Sequence, residues 1–113
     1  MDRNERAILW AAIEDYAGLW ELPWELVTTA PDAPLAGRLP LAREILKVLL
    51  ARDCVALYRG TDFDGEQTAI PAGETGRILA MDENWLEPRP KAVQVRVAAT
   101  AAGRRAYEAE PGP

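Results

Sequence analysis

Nine prolines in a chain of 113 residues cut it into short pieces, and their positions decide what each piece can become. Proline fixes its own φ and has no N–H to donate, so it suits turns and the first turn of a helix and breaks helix and strand interiors. Pro23 and Pro40 stand where helices can begin, and Pro31 and Pro34 frame a turn. Pro71 opens a further segment that Pro88 and Pro90 close, and Pro111 and Pro113 stop the last helical pattern.

Between these breaks, hydrophobic periodicity assigns the elements. Ile8, Leu9, Ala12, Ile13, Tyr16 and Ala17 recur at helical spacing and predict a helix over 6–17, ended by Gly18 in the left-handed conformation. A second helix is predicted over 23–28. One long kinked helix competes with it, because Trp10, Ile13, Ala17, Trp20 and Trp24 keep a three-four spacing through the proline.

After turn chemistry at 30–34, a third helix is predicted from Pro40 to about Asp53. Leu41, Ile45, Val48 and Leu49 face inward on it, and Arg43, Glu44, Lys47 and Arg52 face outward. Residues 54–59 read as a strand, Asp64-Gly65 as a tight turn and 66–70 as its partner strand. A short helix over 71–80, weakened by Gly73 and Gly76, leads into Asp82-Glu83-Asn84-Trp85. Residues 92–97 alternate with the period of a half-buried strand, and Thr100 is suited to cap a closing helix over 104–110.

With 49% hydrophobic and 27% charged residues, the chain has the composition of a globular protein, and 1–113 is expected to form one domain. No stretch approaches the roughly 20 apolar residues of a bilayer span. The charge-rich start Met1-Asp2-Arg3-Asn4-Glu5-Arg6 is unlike a secretion signal, and one cysteine permits no internal disulfide. A cytoplasmic location is expected. Cys54, followed by Val55, Ala56 and Leu57, reads as a buried small hydrophobe rather than a reactive thiol.

Histidine is absent, which removes the commonest general base and nitrogen ligand. There is no glycine-rich phosphate loop and no Gly-x-Ser-x-Gly nucleophile. Glu14, Asp15, Glu21 and Glu25 read as a solvated helix face rather than an acid-base pair. Asp62, Asp64 and Glu66 alternate as calcium ligands do, but Gly65 follows only the second aspartate, which fails the spacing. The expectation is a non-enzyme, without metal or cofactor, that acts by binding. Trp10, Trp20 and Trp24 read chiefly as core, and Trp85 as either a plug under its own segment or an exposed anchor.

Two stretches carry a resemblance. Val97-Ala98-Ala99-Thr100-Ala101-Ala102-Gly103-Arg104-Arg105-Ala106-Tyr107 is similar to the second wing strand of winged helix-turn-helix proteins running into its threonine-capped helix. Leu49-Leu50-Ala51-Arg52-Asp53-Cys54-Val55 resembles that family's recognition helix passing into its first wing strand. The resemblance implies an α+β fold with a three-helix core, a small antiparallel wing sheet and a short C-terminal helix. This chain departs from the pattern at Asp53-Cys54, where a small residue or glycine is usual. It departs again in a long acidic insert over about 60–92 in place of a short hairpin loop.

The resemblance also implies a homodimer that binds DNA through the third helix. Arg43 and Lys47 would make the contacts, and Arg38, Arg52 and Arg59 would position the helix on phosphates. The insert argues the other way. Between Gly60 and Pro90 it sets Asp62, Asp64, Glu66, Glu74, Asp82, Glu83 and Glu87 against Arg77 and Arg89, a charge that repels phosphate. The alternative is an adaptor, or an immunity or inhibitor-type partner of a basic protein, that uses Asp82, Glu83 and Trp85 as its contact surface. No membrane partner is expected.

Overall fold

The computed structural model describes residues 1–14, 16–61 and 65–109. These form an α+β fold in the order α1 (Arg3–Glu14), β1 (Ala17–Gly18), α2 (Leu22–Thr29), α3 (Leu35–Ala51), β2 (Val55–Gly60), β3 (Thr68–Ala69), α4 (Thr75–Ala80), β4 (Gln94–Ala99) and α5 (Ala101–Ala109). Short 3₁₀ turns at Leu19–Glu21, Ala72–Glu74 and Asp82–Trp85 join some of them. The strands make one antiparallel sheet in the order β1-β4-β2-β3. Among the described residues no helix is long and apolar enough to cross a membrane.

The first helix lies three residues nearer the N-terminus than the periodicity places it. Asp2 caps it, its side chain accepting the Glu5 N–H at 2.8 Å. Ala17 and Gly18 leave the helix to pair with Val97 and Arg96, so two helices replace the kinked one. Gly18 is extended, with φ −69 and ψ 144, rather than left-handed. Glycine suits it for another reason: the Trp20 Nε1 to Gln94 Oε1 hydrogen bond, 3.1 Å long, passes so close that a Cβ would lie 2.5 Å from the Gln94 oxygen.

α3 starts at Leu35 and carries Pro40 in its interior. The Pro34 carbonyl accepts the Gly37 and Arg38 N–H groups and closes the first turn ahead of Pro40. Pro40 leaves the Ala36 carbonyl without its helical donor, and both residues are exposed, so water reaches the orphaned oxygen. The other end closes through two crossed bonds, Cys54 N–H to the Leu49 carbonyl at 2.9 Å and Asp53 N–H to Leu50 at 3.0 Å. Asp53 sits at the left-handed position, φ 59, where glycine is usual, and Cys54 and Leu49 are both buried behind it.

α1, α2 and α3 pack around Ile8, Leu9, Leu22, Leu26, Ile45, Leu46 and Leu49, against Leu57, Val95 and Val97 of the sheet. The insert adds Ile70, Ile78, Leu79 and Trp85 to the same core. It is therefore a structural part of the domain and not an appended loop. Trp85 is 3% exposed, and its Nε1 donates to the Leu79 carbonyl at 2.9 Å while Asn84 Nδ2 donates to Ile78. Together they satisfy carbonyls at the end of α4. Of the two roles open to Trp85, it fills that of the plug.

The closing helix begins at Ala101, earlier than its periodicity suggests, because Thr100 caps it. The Thr100 hydroxyl accepts the Gly103 N–H at 3.0 Å and donates to the Asp53 carbonyl. Thr100 N–H donates to the Cys54 carbonyl at 3.0 Å, which ties α5 to the end of α3.

Candidate functional site

The five cations expected on one face are largely matched within the chain. Arg43 Nη2 meets Asp82 Oδ1 at 2.6 Å, and its guanidinium carbon lies 5.6 Å from the Trp85 ring centre. Lys47 pairs with Glu44 at 2.9 Å, one turn away, and Arg52 approaches Glu5 at 4.0 Å. Arg38 reaches the Pro31 carbonyl at 3.5 Å and keeps a buried, unpartnered Nε. Arg59 is exposed on β2, away from the helix. Among the described side chains of α3, the solvent-facing ones are Ala36, Pro40, Glu44, Lys47, Val48 and Ala51, a stripe with one charge of each sign. Helical spacing identifies outward positions; it carries no information that Asp82 folds back onto Arg43.

Asp82 and Glu83 are exposed, but Asp82 is engaged by Arg43 and Trp85 is withdrawn from the surface. The aromatic surface lies elsewhere. Trp20, Pro23, Trp24, Leu39, Leu86 and Glu87 line an open cleft of about 480 Å³, floored by Trp85. Trp24 is 59% exposed on α2 and Leu86 66% exposed just after the last 3₁₀ turn. Packing fixes both sides: the Gln94 hydrogen bond holds Trp20, and the buried Trp85 anchors Leu86. A signal for this was in the sequence, since Trp20 and Trp24 are four apart, on a different stripe from Leu22 and Leu26.

On the other side of the same ridge, Ala11, Glu14, Tyr16, Ala17, Glu21, Glu25 and Arg96 line a second cleft of about 340 Å³. Glu21 Oε2 accepts the Gly18 N–H at 2.7 Å. Burial, followed by the charges of Glu14 and Glu21, raises the Glu25 carboxyl above its ordinary value. Arg96 is 7% exposed, although the strand's alternation turns it away from the core pair Val95 and Val97. Its Nη1 donates to the Tyr16 carbonyl and its Nε has no partner. Tyr16 lies edge-to-face on Tyr58, at 5.3 Å, the residue paired with Arg96 on β2.

Among the described residues no three His, Cys, Asp or Glu side chains gather as a metal site requires. Asp62 and Asp64 of the acidic alternation, and Asp15 of the carboxylate face, lie outside the described residues. Compared with family models, curated proteins and solved structures, the chain has no match.

Proposed function

We propose that the chain is a winged-helix module that works by binding a protein partner through the Trp24–Leu86 cleft. The winged-helix reading is supported by the element order. Three helices, with β1 between the first two, precede β2 and β4, β1 lies on the outer side of β4, and a capped helix follows. The stretches at 49–55 and 97–107 that resemble the family fall at the matching junctions. The long insert is the addition that distinguishes this chain.

The observation that favours protein over DNA is the contrast between the two surfaces. DNA association draws on several cations free to neutralise phosphates. Here the outer stripe of α3 is electrically balanced and Arg43 is bound to Asp82. Exposed tryptophan in a pre-formed apolar cleft is instead the material of protein-binding hot spots. DNA binding through α3 is the second reading, and the helix-pair order favours it.

A photo-crosslinking residue at Trp24, with one at Val48 on α3 as the comparison, tests the assignment in cells. A discrete protein adduct from position 24 and none from 48 is expected; the reverse pattern sinks it. Anisotropy titration of a labelled duplex is expected to show no affinity tighter than about 10⁻⁴ M at physiological salt. Tighter, salt-dependent binding that Arg43→Ala abolishes would transfer the function to DNA.

A further inference from the structure

We infer that the partner presents a basic amphipathic segment, with an apolar anchor seated between Trp24 and Leu86 and lysine or arginine side chains laid over Glu14, Glu21 and Glu25. This rests on the protein-binding reading above and adds the chemistry of the partner.

The ridge formed by the Leu19–Glu21 turn and the start of α2 carries two stripes, each four residues apart. Trp20 and Trp24 open to the apolar cleft, Glu21 and Glu25 to the acidic one, and Leu22 and Leu26 are buried beneath. Residues four apart on a helix lie over one another, so the two surfaces run side by side in a fixed relation. A helix with an apolar stripe flanked by cations has the complementary layout.

Charge chooses the sign of the flanking residues. Glu14, Glu21 and Glu25 face one guanidinium, Arg96, so the acidic cleft holds a formal excess of two negative charges. That guanidinium is nearly buried and donates to Tyr16. None of the three glutamates forms an ion pair with a described residue. Burial, and after it the charges of Glu14 and Glu21, raises the Glu25 carboxyl above its ordinary value, and a cation from outside would offset those charges. The apolar cleft adds Glu87 and has no basic residue in its lining. An acidic segment would meet repulsion on both sides of the ridge.

Two synthetic helical peptides with the same leucine pattern, one carrying lysine and the other glutamate at the polar positions, are titrated calorimetrically into the full chain. The leucine-lysine peptide is expected to bind and the leucine-glutamate peptide not to. Trp24→Ala is expected to weaken binding at least about tenfold. Glu25→Gln is expected to weaken it about two- to fivefold, an effect that fades at high salt. Glu108→Gln makes the same charge change at an exposed site on α5 that lines neither cleft, and is expected to leave affinity unchanged.

Equal losses from Glu25→Gln and Glu108→Gln would reduce the effect to net charge and overturn the inference. If the leucine-glutamate peptide binds as tightly and Trp24→Ala abolishes it, the cleft remains a protein site and the basic partner is refuted. If neither peptide binds, the inference fails while the crosslink at Trp24 still stands or falls separately.

Discussion

Gly103 and Gly76 both lie in helices, where alanine is intrinsically better by about 0.5–1 kcal/mol, yet substitution is expected to act oppositely at the two. A Cβ on Gly103 would lie 1.9 Å from the Cys54 carbonyl oxygen, a backbone atom that the end of α3 and the cap of α5 hold in place. Overpacking of this kind costs about 1–3 kcal/mol, so Gly103→Ala is expected to lower the urea midpoint despite the better propensity. A Cβ on Gly76 would meet no atom within 4 Å beyond its chain neighbours and its own helix backbone, and Gly76→Ala is expected to raise that midpoint. Glu25 makes a different residue-scale prediction. Its folded carboxyl is raised above the ordinary 4.5, so the native chain binds the proton more readily than the unfolded one. Its contribution to stability therefore falls as pH rises from about that value through the folded one. Glu25→Gln is expected to flatten this part of the stability-pH profile and to leave the chain more stable at neutral pH, as melts at several pH values would report.

Among the elements, α3 carries the clearest local conflict. An interior proline costs about 3 kcal/mol relative to alanine, and Pro40 lies beyond the first turn where it would be free of that cost. Pro40→Ala restores a donor to the Ala36 carbonyl and is expected to stabilise the fold by about 1–3 kcal/mol, read from denaturant melts at constant slope. The same residue shows where sequence reading stops. The pattern places the helix start at Pro40, but the helix begins five residues earlier, at Leu35, where the Pro34 carbonyl accepts the first N–H groups. The helical repeats, β2, β4 and the Thr100 cap were legible because each is written in residues close together in the chain. β1 was not, since two residues carry no period and only pairing with β4, far along the chain, makes them a strand. The site divides the same way. The spacing of α3 turns Arg43 outward; its engagement by Asp82, which leaves the side chain only 20% exposed, and the burial of Arg96 beside Tyr16 arise from contacts between distant segments.

For the molecule as a whole, the insert decides stability as well as surface. Gly60 pairs with Gln94, so residues 61–93 could be replaced by an Asn-Gly turn without moving the ends of β2 and β4. That replacement removes Ile70, Ile78, Leu79 and Trp85, each worth about 1.5–3 kcal/mol of burial, and the sum rivals the roughly 5–15 kcal/mol by which a domain is stable. The shortened chain is expected to lose its cooperative thermal transition in circular dichroism; a sharp melt near the parent's would show the insert to be dispensable. The sheet whose centre this insert spans has two edges, β1 and β3, of two residues each. Strands so short offer only a brief row of unpaired N–H and C=O groups of their own along which another chain could extend the ladder. Self-association by strand addition, and the fibrillar assembly that begins with it, is thereby disfavoured at β1 and β3.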